Sequence, residues 1–339
     1  MPRGHRPNAL KLIGAHQIEQ WLDANPQRVF DLVRDIYLTH GAGRTVNPDS
    51  YFLRFPDSER DRIIALPASI EDEQPIAGIK WIASFPGNIE QGLNRASALL
   101  ILNDRHTGYP LACLEGSAIS AARTAAAAAV GAHYLHPTPR RVACLGVVGC
   151  GLIAFNTVEL LCRLGWEIDE ILLSDLSPER VELFKHKCSA FHGHLRGASL
   201  EDTVVRSDLL LFATSAVKPF VDEAQWFAHH PTVLHLSLRD LSAPIVLDAQ
   251  NVADDVDHCL KAQTSLHLAE QLCGDRRFMA GDIAGMINGV LQPDRDRTRI
   301  FSPFGMGVLD LALGRAILDS PDEVAFSAFD DFFPTAYIE

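Results

Sequence analysis

The sequence has no CxxC pair, no long apolar run and no excess of basic residues, and each absence removes a class of function. The seven cysteines are scattered, so they are expected to be buried thiols and not ligands of a zinc site. The longest apolar stretch, residues 142–155, contains three glycines and is shorter than the roughly 20 residues of a membrane-spanning helix. Lysine plus arginine total 30 against 43 aspartate plus glutamate, which argues against nucleic-acid binding.

The first residues also lack the apolar core of a signal peptide, because Lys11, His16 and Glu19 follow the start closely. We therefore expect a cytoplasmic protein with no membrane partner. Histidine pairs such as His192 and His194 have no obvious third ligand nearby, so no metal site is expected. Hydrophobic residues make up 47% of the chain and charged residues 22%, which is typical of a folded globular protein.

The length of 339 residues predicts about two domains. A boundary is expected at residues 136–141, where prolines and arginines interrupt an apolar sequence. The first part is predicted to be α+β, because short apolar strands and a turn-rich connection at residues 103–110 precede an alanine-rich helix at residues 115–135. Its strands are predicted at residues 62–66, 76–84, 98–102 and 111–114.

After the boundary, apolar strands alternate with helical stretches, which indicates a parallel sheet covered on both faces. Strands are predicted at residues 142–148, 170–174, 209–213, 233–238 and 252–254, with helices at residues 151–164 and 178–191. A last helix, at residues 308–318, is expected to pack on the first part. The predicted fold class is therefore α/β: a Rossmann-type doubly wound sheet over residues 137–302, plus an α+β domain of residues 1–136 completed by residues 303–339.

A glycine-rich turn follows the predicted strand at residues 142–148. Gly149 suits the tight turn, and Gly151 lets a pyrophosphate approach the backbone. Leu152 and Ile153 then begin a helix whose N-terminal amides attract an anion. The motif predicts a dinucleotide site.

Asp175 ends the second predicted strand, 26 residues beyond Gly149. A carboxylate at this place binds the adenosine ribose and repels a 2′-phosphate, which favours NAD over NADP. The alternative is that Asp175 caps the helix that begins near Pro178.

Four charged residues lie in unusually apolar surroundings and are candidates for the chemistry. Lys80 lies in a predicted strand that is too apolar to bury an ammonium without an anion, Arg123 lies in the alanine-rich helix, and Arg54 follows aromatic and apolar residues. Asp240 follows a predicted sheet strand, where open α/β sheets bind ligands. Lys80 could also be a snorkelling or ion-paired residue, and Arg54 a surface cation.

Together these residues resemble the ornithine cyclodeaminase/µ-crystallin family, and the resemblance covers nearly the whole chain. The motifs that carry it are at residues 78–81, 103–104, 107–111, 115–126, 149–151 and 302–307. Within the family the chain is most similar to the dehydrogenases that act on N-(2-amino-2-carboxyethyl)-L-glutamate. That closer similarity lies at residues 62–67, 79–82, 96–97, 149–153 and 280–283.

The resemblance implies oxidative hydrolysis of a secondary amine with NAD, which yields L-2,3-diaminopropionate and 2-oxoglutarate for siderophore or related biosynthesis. Arg123 is then expected to bind the α-carboxylate and Arg54 another carboxylate. Lys80 is expected to contact carboxylate and nitrogen and to give a proton to the departing amine. Asp240 is expected to stabilise the iminium and to act as general base toward water.

Thr214 and Ser215 follow the predicted strand at residues 209–213 and are expected to line the nicotinamide side of the cofactor. Their alternative is a simple role as caps at the end of the strand. The resemblance also implies a homodimer built through the N-terminal α+β part, which would bind the amino-acid substrate.

Two departures from the cyclodeaminase pattern bear on the substrate. Cyclodeaminases usually have a glutamate where this sequence has Ile64, and that carboxylate would hold a distal ammonium. The sequence around Asp240 lacks their Gly-Ala-Asp-x-Pro-Gly-Lys pattern, which weakens the assignment of Asp240. The rival functions are ornithine cyclodeamination, reduction of an imine or 2-oxo acid, and a non-catalytic µ-crystallin-like binding role.

Overall fold

The computed structural model describes residues 9–138 and 140–334. Pro139, which belongs to the predicted domain boundary, lies outside the described residues. So do residues 1–8, on which part of the signal-peptide expectation rests. None of the helices in the described part combines the length and hydropathy that crossing a bilayer requires.

Strands and α-helices of the described residues are numbered here in chain order. The strands are β1 Leu10–Ile13, β2 Thr45–Val46, β3 Tyr51–Phe55, β4 Ser58–Ile70, β5 Ile76–Ser84, β6 Ala96–Asp104, β7 Pro110–Glu115, β8 Arg141–Val148, β9 Glu167–Ser174, β10 Leu195–Gly197, β11 Leu209–Phe212, β12 Thr232–His235, β13 Gln250–Ala253, β14 Met279–Asp282, β15 Arg299–Ser302 and β16 Ser327–Phe329. The helices are α1 Ala15–Ala24, α2 Pro26–Gly41, α3 Gly116–Leu135, α4 Leu152–Arg163, α5 Pro178–Cys188, α6 Leu200–Arg206, α7 Ala243–Asp248, α8 Val256–Cys259, α9 Ser265–Cys273, α10 Ile283–Ile287 and α11 Gly307–Leu318.

The chain divides into two compact units. The first unit takes the described residues up to Leu32, residues 42–123, and the described residues from Met306 on. The second unit takes residues 33–41 and 124–305.

The first unit is built on a sheet with the order β16-β1-β7-β6-β5-β4-β2, to which β3 adds by pairing with β4. Neighbours are antiparallel except β1 and β7, which are parallel. Helix α11 packs on one face of this sheet, and two of its glycines lie against Leu66 and Leu100. The predicted last helix is thus present and belongs to the first unit.

The second unit is built on a sheet with the order β10-β9-β8-β11-β12-β15-β13-β14, in which every neighbouring pair is parallel. Strands β11 and β12 are buried throughout, as expected for a sheet covered on both faces. The first strand of this unit, β8, lies between β9 and β11, which is the order of a doubly wound Rossmann sheet. The predicted fold class is confirmed.

The structure contains strands β1, β2, β3, β10, β14 and β15 and helices α1, α2 and α6–α10 that were not predicted, and it differs from the predictions in further details. The predicted strand at residues 233–238 ends at His235, because the chain turns away and Leu238 adopts φ +65°. Strand β16 was not predicted; all of its residues are exposed, so it has no apolar alternation to detect. The expectation that the cysteines are buried is wrong for Cys273, which is exposed at the end of α9, and Cys113 and Cys162 are only partly buried.

Candidate active site

Lys80 is buried in the middle of β5, on the sheet face that α11 covers. Its backbone pairs with Leu66 of β4 and Leu100 of β6, so apolar side chains flank it on the same face. The ammonium Nζ donates to Asp310 Oδ2 at 2.7 Å and to Ser120 Oγ at 3.0 Å. Of the alternatives left open for Lys80, snorkelling does not apply, since the side chain is only 2% exposed.

Asp310 reaches Lys80 because α11 lies very close to the sheet. Gly307 and Gly314 flank Asp310 at helical spacing on the same side of the helix. A Cβ atom on Gly307 would lie 3.1 Å from the Leu66 carbonyl oxygen, and a Cβ on Gly314 would lie 2.5 Å from Leu100 Cδ2. The two glycines therefore remove the bulk that would hold the carboxylate away from β5.

Arg123 adds a second cation to this cluster. It lies on α3, one turn after Ser120, and its Nε is 3.5 Å from Asp310 Oδ1. Among the described residues, neither Arg123 Nε nor Asp310 Oδ1 has a hydrogen-bond partner, although both are buried. An unsatisfied buried donor beside an ion pair is the feature expected where a ligand oxygen binds.

The charges of Lys80, Arg123 and Asp310 do not cancel, because two cations face one carboxylate. The pKa of Lys80 is lowered to about 8; burial is the largest cause, the positive charge of Arg123 adds to it, and Asp310 opposes both. An incoming carboxylate would balance the second positive charge and keep Lys80 protonated. The cluster is therefore suited to an anionic ligand.

Arg54 shares the sheet face of Lys80 but lies away from the cluster. It is exposed on β3, with its guanidinium carbon 5.4 Å from the centroid of the Phe52 ring. Among the described residues, no hydrogen bond or ion pair joins Arg54 to Lys80, Arg123 or Asp310. The structure thus brings two of the three predicted substrate-binding cations into one cluster and leaves the third apart.

The glycine turn of the second unit fits a dinucleotide. Gly149 adopts φ +93°, and a Cβ atom there would lie 2.7 Å from the Ala213 carbonyl oxygen, so only glycine fits. A Cβ on Gly151 would meet no atom within 4 Å, which leaves open space above the N-terminus of α4. Leu152 is exposed, Ile153 is half-buried, and the free amides of the first turn can bind a pyrophosphate.

Asp175 follows β9 and lies beside this turn. Its Oδ2 accepts from the Cys150 amide at 2.7 Å, and its Oδ1 accepts from the Ser177 amide at 2.9 Å. Helix α5 is capped by Ser177, whose side chain accepts from the Arg180 amide. Asp175 therefore does not cap the helix, and its carboxylate stands at the edge of the glycine turn.

Asp240 is buried in the second unit within a network of donors. Its Oδ1 accepts from Thr214 Oγ1, and its Oδ2 accepts from Ser237 Oγ and from His235 Nε2, the last at 3.0 Å. Burial raises the pKa of Asp240, but the hydrogen bonds from His235, Ser237 and Thr214, together with the electrostatic interaction with His235, outweigh it and hold the pKa below its ordinary value. The carboxylate is thus kept ionised. Ser215, next to Thr214, is exposed.

Sequence reasoning did not single out Asp310 or His235. Asp310 could have been found by the argument used for Lys80, since it is a charged residue inside an otherwise apolar helix. His235 gave no such signal, because a histidine at the end of an apolar strand is commonly a core residue. Among the described residues, no group of three side chains could hold a metal ion.

A model of the ornithine cyclodeaminase/mu-crystallin family matches residues 38–323 of the chain. N-((2S)-2-amino-2-carboxyethyl)-L-glutamate dehydrogenase of Staphylococcus aureus is 26% identical over 310 residues, which are 87% of this chain and 90% of that protein. The structure of Thermococcus litoralis Δ1-pyrroline-2-carboxylate reductase in complex with NADH and L-proline is similar with a TM-score of 0.84 at 21% identity, over 93% of this chain and 98% of that one. An archaeal alanine dehydrogenase dimer with bound NAD also gives 0.84, at 23% identity over 96% and 100% of the two chains.

Proposed function

The chain belongs to the ornithine cyclodeaminase/mu-crystallin family, as its motifs predict, and on that premise we propose that it is an NAD-dependent dehydrogenase acting on a CH–NH bond. The proposed substrate is N-(2-amino-2-carboxyethyl)-L-glutamate, on which the similar Staphylococcus aureus enzyme acts by name. The products are L-2,3-diaminopropionate and 2-oxoglutarate. The first is a siderophore precursor, so we assign the protein to cytoplasmic siderophore or related natural-product biosynthesis.

The observation that carries this proposal is the buried cluster of Lys80, Arg123 and Asp310. Its excess positive charge, with one guanidinium nitrogen unsatisfied, favours a carboxylate-bearing substrate. The Lys80 pKa of about 8 lets the same ammonium give up a proton near neutral pH. Both properties suit a dehydrogenase that acts on an amino acid.

The side chains would divide the reaction as follows. Arg123 and Lys80 bind the glutamyl α-carboxylate, and Arg54 binds another carboxylate. Loss of hydride from the glutamyl Cα converts the C–N bond to an iminium, which the Asp240 carboxylate stabilises by its negative charge. Asp240 then takes a proton from the water that attacks the iminium carbon, which gives a carbinolamine. Lys80 protonates its nitrogen, and the C–N bond breaks as the hydroxyl loses its proton and becomes the 2-oxo group.

The glycine turn would hold the cofactor, with Gly149 and Gly151 beneath the pyrophosphate and Asp175 on the adenosine ribose. Thr214 and Ser215 would line the nicotinamide side. When bound, NAD supplies the acceptor for the hydride that leaves the substrate. We further propose that residues 137–302 form the NAD-binding domain and that residues 1–136, completed by 303–339, bind substrate and form the dimer.

Replacement of Asp175 by serine is expected to weaken the binding of NAD and to allow the binding of NADP. The change removes a charge-assisted hydrogen bond to the ribose and the repulsion of a 2′-phosphate, so the preference for NAD over NADP should fall by about 10- to 100-fold. The cofactor preference is measured by steady-state kinetics with NAD and with NADP. Asp169→Ser changes an exposed carboxylate on β9, the strand that Asp175 follows, and this control should keep the wild-type preference. An unchanged preference in Asp175→Ser would refute the assignment.

The proposed reaction is tested with purified protein, NAD and N-(2-amino-2-carboxyethyl)-L-glutamate. We expect equal amounts of NADH and 2-oxoglutarate, followed by absorbance and by a coupled assay. L-Ornithine is run in parallel, because a cyclodeaminase would form proline without net NADH. Δ1-Pyrroline-2-carboxylate and pyruvate with ammonia are offered together with NADH. Activity on any of these alone would replace the proposed substrate, and NAD binding without any turnover would favour a binding protein.

A row of apolar side chains lies exposed across the first unit's sheet, on the face opposite to α11. Tyr51 on β3, Trp81 on β5 and Leu99 on β6 form one row across the sheet, because Tyr51 and Trp81 are both register partners of Ala65 and Trp81 is also the partner of Leu99. Leu53, two residues after Tyr51, lies on the same face of β3. All four are at least 40% exposed. We propose that a second copy of the chain covers this face, which agrees with the archaeal alanine dehydrogenase being a dimer.

Leu99→Glu is expected to convert the proposed homodimer to a monomer, because it buries an unpaired carboxylate in the apolar interface. Analytical ultracentrifugation of the wild type and of Leu99→Glu measures the mass of each particle in solution. Val290→Glu changes an equally apolar, exposed residue of the second unit and should leave the dimer intact. A wild-type protein that sediments as a monomer at micromolar concentration would refute the proposal.

A further inference from the structure

His235 contacts the buried Asp240 carboxylate from the end of β12. Its Nε2 lies 3.0 Å from Asp240 Oδ2, and the imidazole is only 1% exposed. Ser237 Oγ donates to the same carboxylate oxygen. Because a carboxylate oxygen has two lone pairs, these two donors fill the acceptor capacity of Oδ2. The other oxygen, Oδ1, accepts only from Thr214 among the described residues and so keeps one lone pair for a further donor.

The carboxyl ends of neighbouring parallel strands bring these groups together. His235 is the register partner of Phe212, the last residue of β11, and Thr214 follows two residues later. Strand β15 lies on the other side of β12, and its last residue, Ser302, places Oγ 3.5 Å from His235 Nδ1. Ligands of open α/β sheets bind at the carboxyl ends of the strands. His235 therefore contacts the proposed base at the edge of the sheet where a ligand would bind.

The hydrogen on His235 Nε2 determines which bond this nitrogen makes. The Asp240 backbone amide lies 3.2 Å from Nε2 and can donate to it, but only a ring nitrogen without a hydrogen accepts. A hydrogen bond to an ionised carboxylate is roughly twice as strong as one between neutral groups, so Nε2 carries the hydrogen and donates to Oδ2. In this tautomer Nδ1 can accept from Ser302 Oγ, which holds the imidazole in the same orientation.

We propose that His235 is a positioning residue for the proposed base: it occupies Oδ2 of Asp240 and leaves Oδ1 to take the proton of the attacking water. This inference rests on the proposed function and deepens it, because it names the group that orients the base. As the water oxygen bonds to the iminium carbon, its O–H bond breaks and the proton passes to Oδ1, beside the half-buried Thr214. Without the imidazole, Oδ2 also has a free lone pair, and the carboxylate is no longer held in one orientation.

The same contact keeps the buried carboxylate charged. Burial raises the pKa of Asp240, and the hydrogen bond from His235 and the electrostatic interaction with His235 are the next two causes, both of which lower it. Arg239, on the same turn, also interacts electrostatically with Asp240, and its charge is unchanged in a His235 variant. Removal of the imidazole should therefore raise the pKa of Asp240 and leave part of the base protonated in weakly acidic solution.

The kinetic test compares His235→Phe, which keeps a ring of similar size without a donor, with His235→Gln, whose amide can donate in place of Nε2. With NAD and the proposed substrate, the loss of kcat in His235→Phe should be about 3- to 10-fold larger at pH 6 than at pH 8, while KM stays within about threefold. Each loss is taken relative to the wild type at the same pH, so the titration of Lys80 cancels. His235→Gln should follow the wild type at both pH values.

A second measurement does not depend on turnover. In protein labelled with ¹³C at the aspartate carboxyl carbon, the NMR signal of Asp240 is identified by its loss in Asp240→Asn. In the wild type this signal should keep its carboxylate position from pH 8 to pH 6. In His235→Phe it should move over that range, because the midpoint of its titration rises by about three pH units. His136→Phe removes another buried histidine of the second unit and should keep the wild-type titration.

The two measurements separate this inference from the proposed reaction. An Asp240 carboxyl that titrates in His235→Phe and not in His235→Gln supports the inference, even if the wild type does not oxidise the proposed substrate. A carboxyl that stays ionised down to pH 6 in His235→Phe would overturn it, as would equal losses of kcat at pH 6 and pH 8. If the wild type oxidises the proposed substrate and His235→Phe shows neither change, the proposed reaction stands and only this inference fails.

Discussion

Replacing Asp240 with asparagine is expected to lower kcat by roughly 10²- to 10⁴-fold, the usual contribution of a general base. The variant keeps the size of the side chain but loses the negative charge that would stabilise the iminium and the atom that would accept the proton of water. Because hydrogen bonds hold the pKa of Asp240 low, the wild-type base is ionised throughout the neutral range. The loss should therefore be similar at pH 6 and pH 8. NADH and 2-oxoglutarate are measured together.

Two further measurements separate a lost base from a damaged fold. The affinity for NAD should stay near the wild-type value, because the residues proposed to bind the pyrophosphate and ribose are unchanged. Asp248→Asn, an exposed carboxylate at the end of α7, is the matched control and should keep full activity. If Asp240→Asn binds NAD normally and retains more than a third of the wild-type kcat, Asp240 is not the base.

The sequence predicted Lys80 and Arg123 as members of a site because charged residues rarely lie in apolar strands and alanine-rich helices without a reason. The structure brings these two together within the first unit. Their shared partner, Asp310, is 230 residues from Lys80 in the chain. Such a contact depends on which helix packs on which sheet face, and the order of apolar residues along a chain does not give that information.

The glycine turn could be predicted from the sequence because a backbone that binds a pyrophosphate needs glycines at a fixed spacing. Gly149 has the positive φ that this turn requires. The donors to Asp240 were harder to read. Ser237 is close in the sequence, but Thr214 comes from the end of another strand, and only the parallel order of β11 and β12 brings it near. Which residues lie beside Arg54 on the next strand likewise depends on strand register, which a single sequence leaves open.

Asp310→Asn is expected to cause the largest loss of stability, because it leaves Lys80 and Arg123 facing a neutral amide in a buried place. Breaking a buried ion pair costs about 3–5 kcal/mol, which corresponds to a fall in Tm of roughly 4–7 °C for a chain of 339 residues. Glu182→Gln, which breaks an exposed ion pair with Lys185, should leave Tm almost unchanged. Thermal unfolding followed by circular dichroism compares the two variants, and a fall in Tm no larger than that of Glu182→Gln would contradict the prediction.

The same loss should depend on pH, and its sign follows from Lys80. Asp310 raises the pKa of Lys80, so the asparagine variant has a Lys80 pKa below the wild-type value of about 8. A lysine whose pKa is lowered by folding is destabilising while it is protonated, and that penalty fades as pH rises toward the pKa of the unfolded chain. The difference in Tm between wild type and Asp310→Asn should therefore be largest in mildly acidic solution, shrink as pH rises toward 8, and stay constant above it. The double variant Lys80→Met/Asp310→Leu leaves one buried cation without a carboxylate, Arg123, where Asp310→Asn leaves two, so it should regain part of the stability without regaining activity. A double variant less stable than Asp310→Asn would mean that Asp310 stabilises the fold by contacts other than its charge.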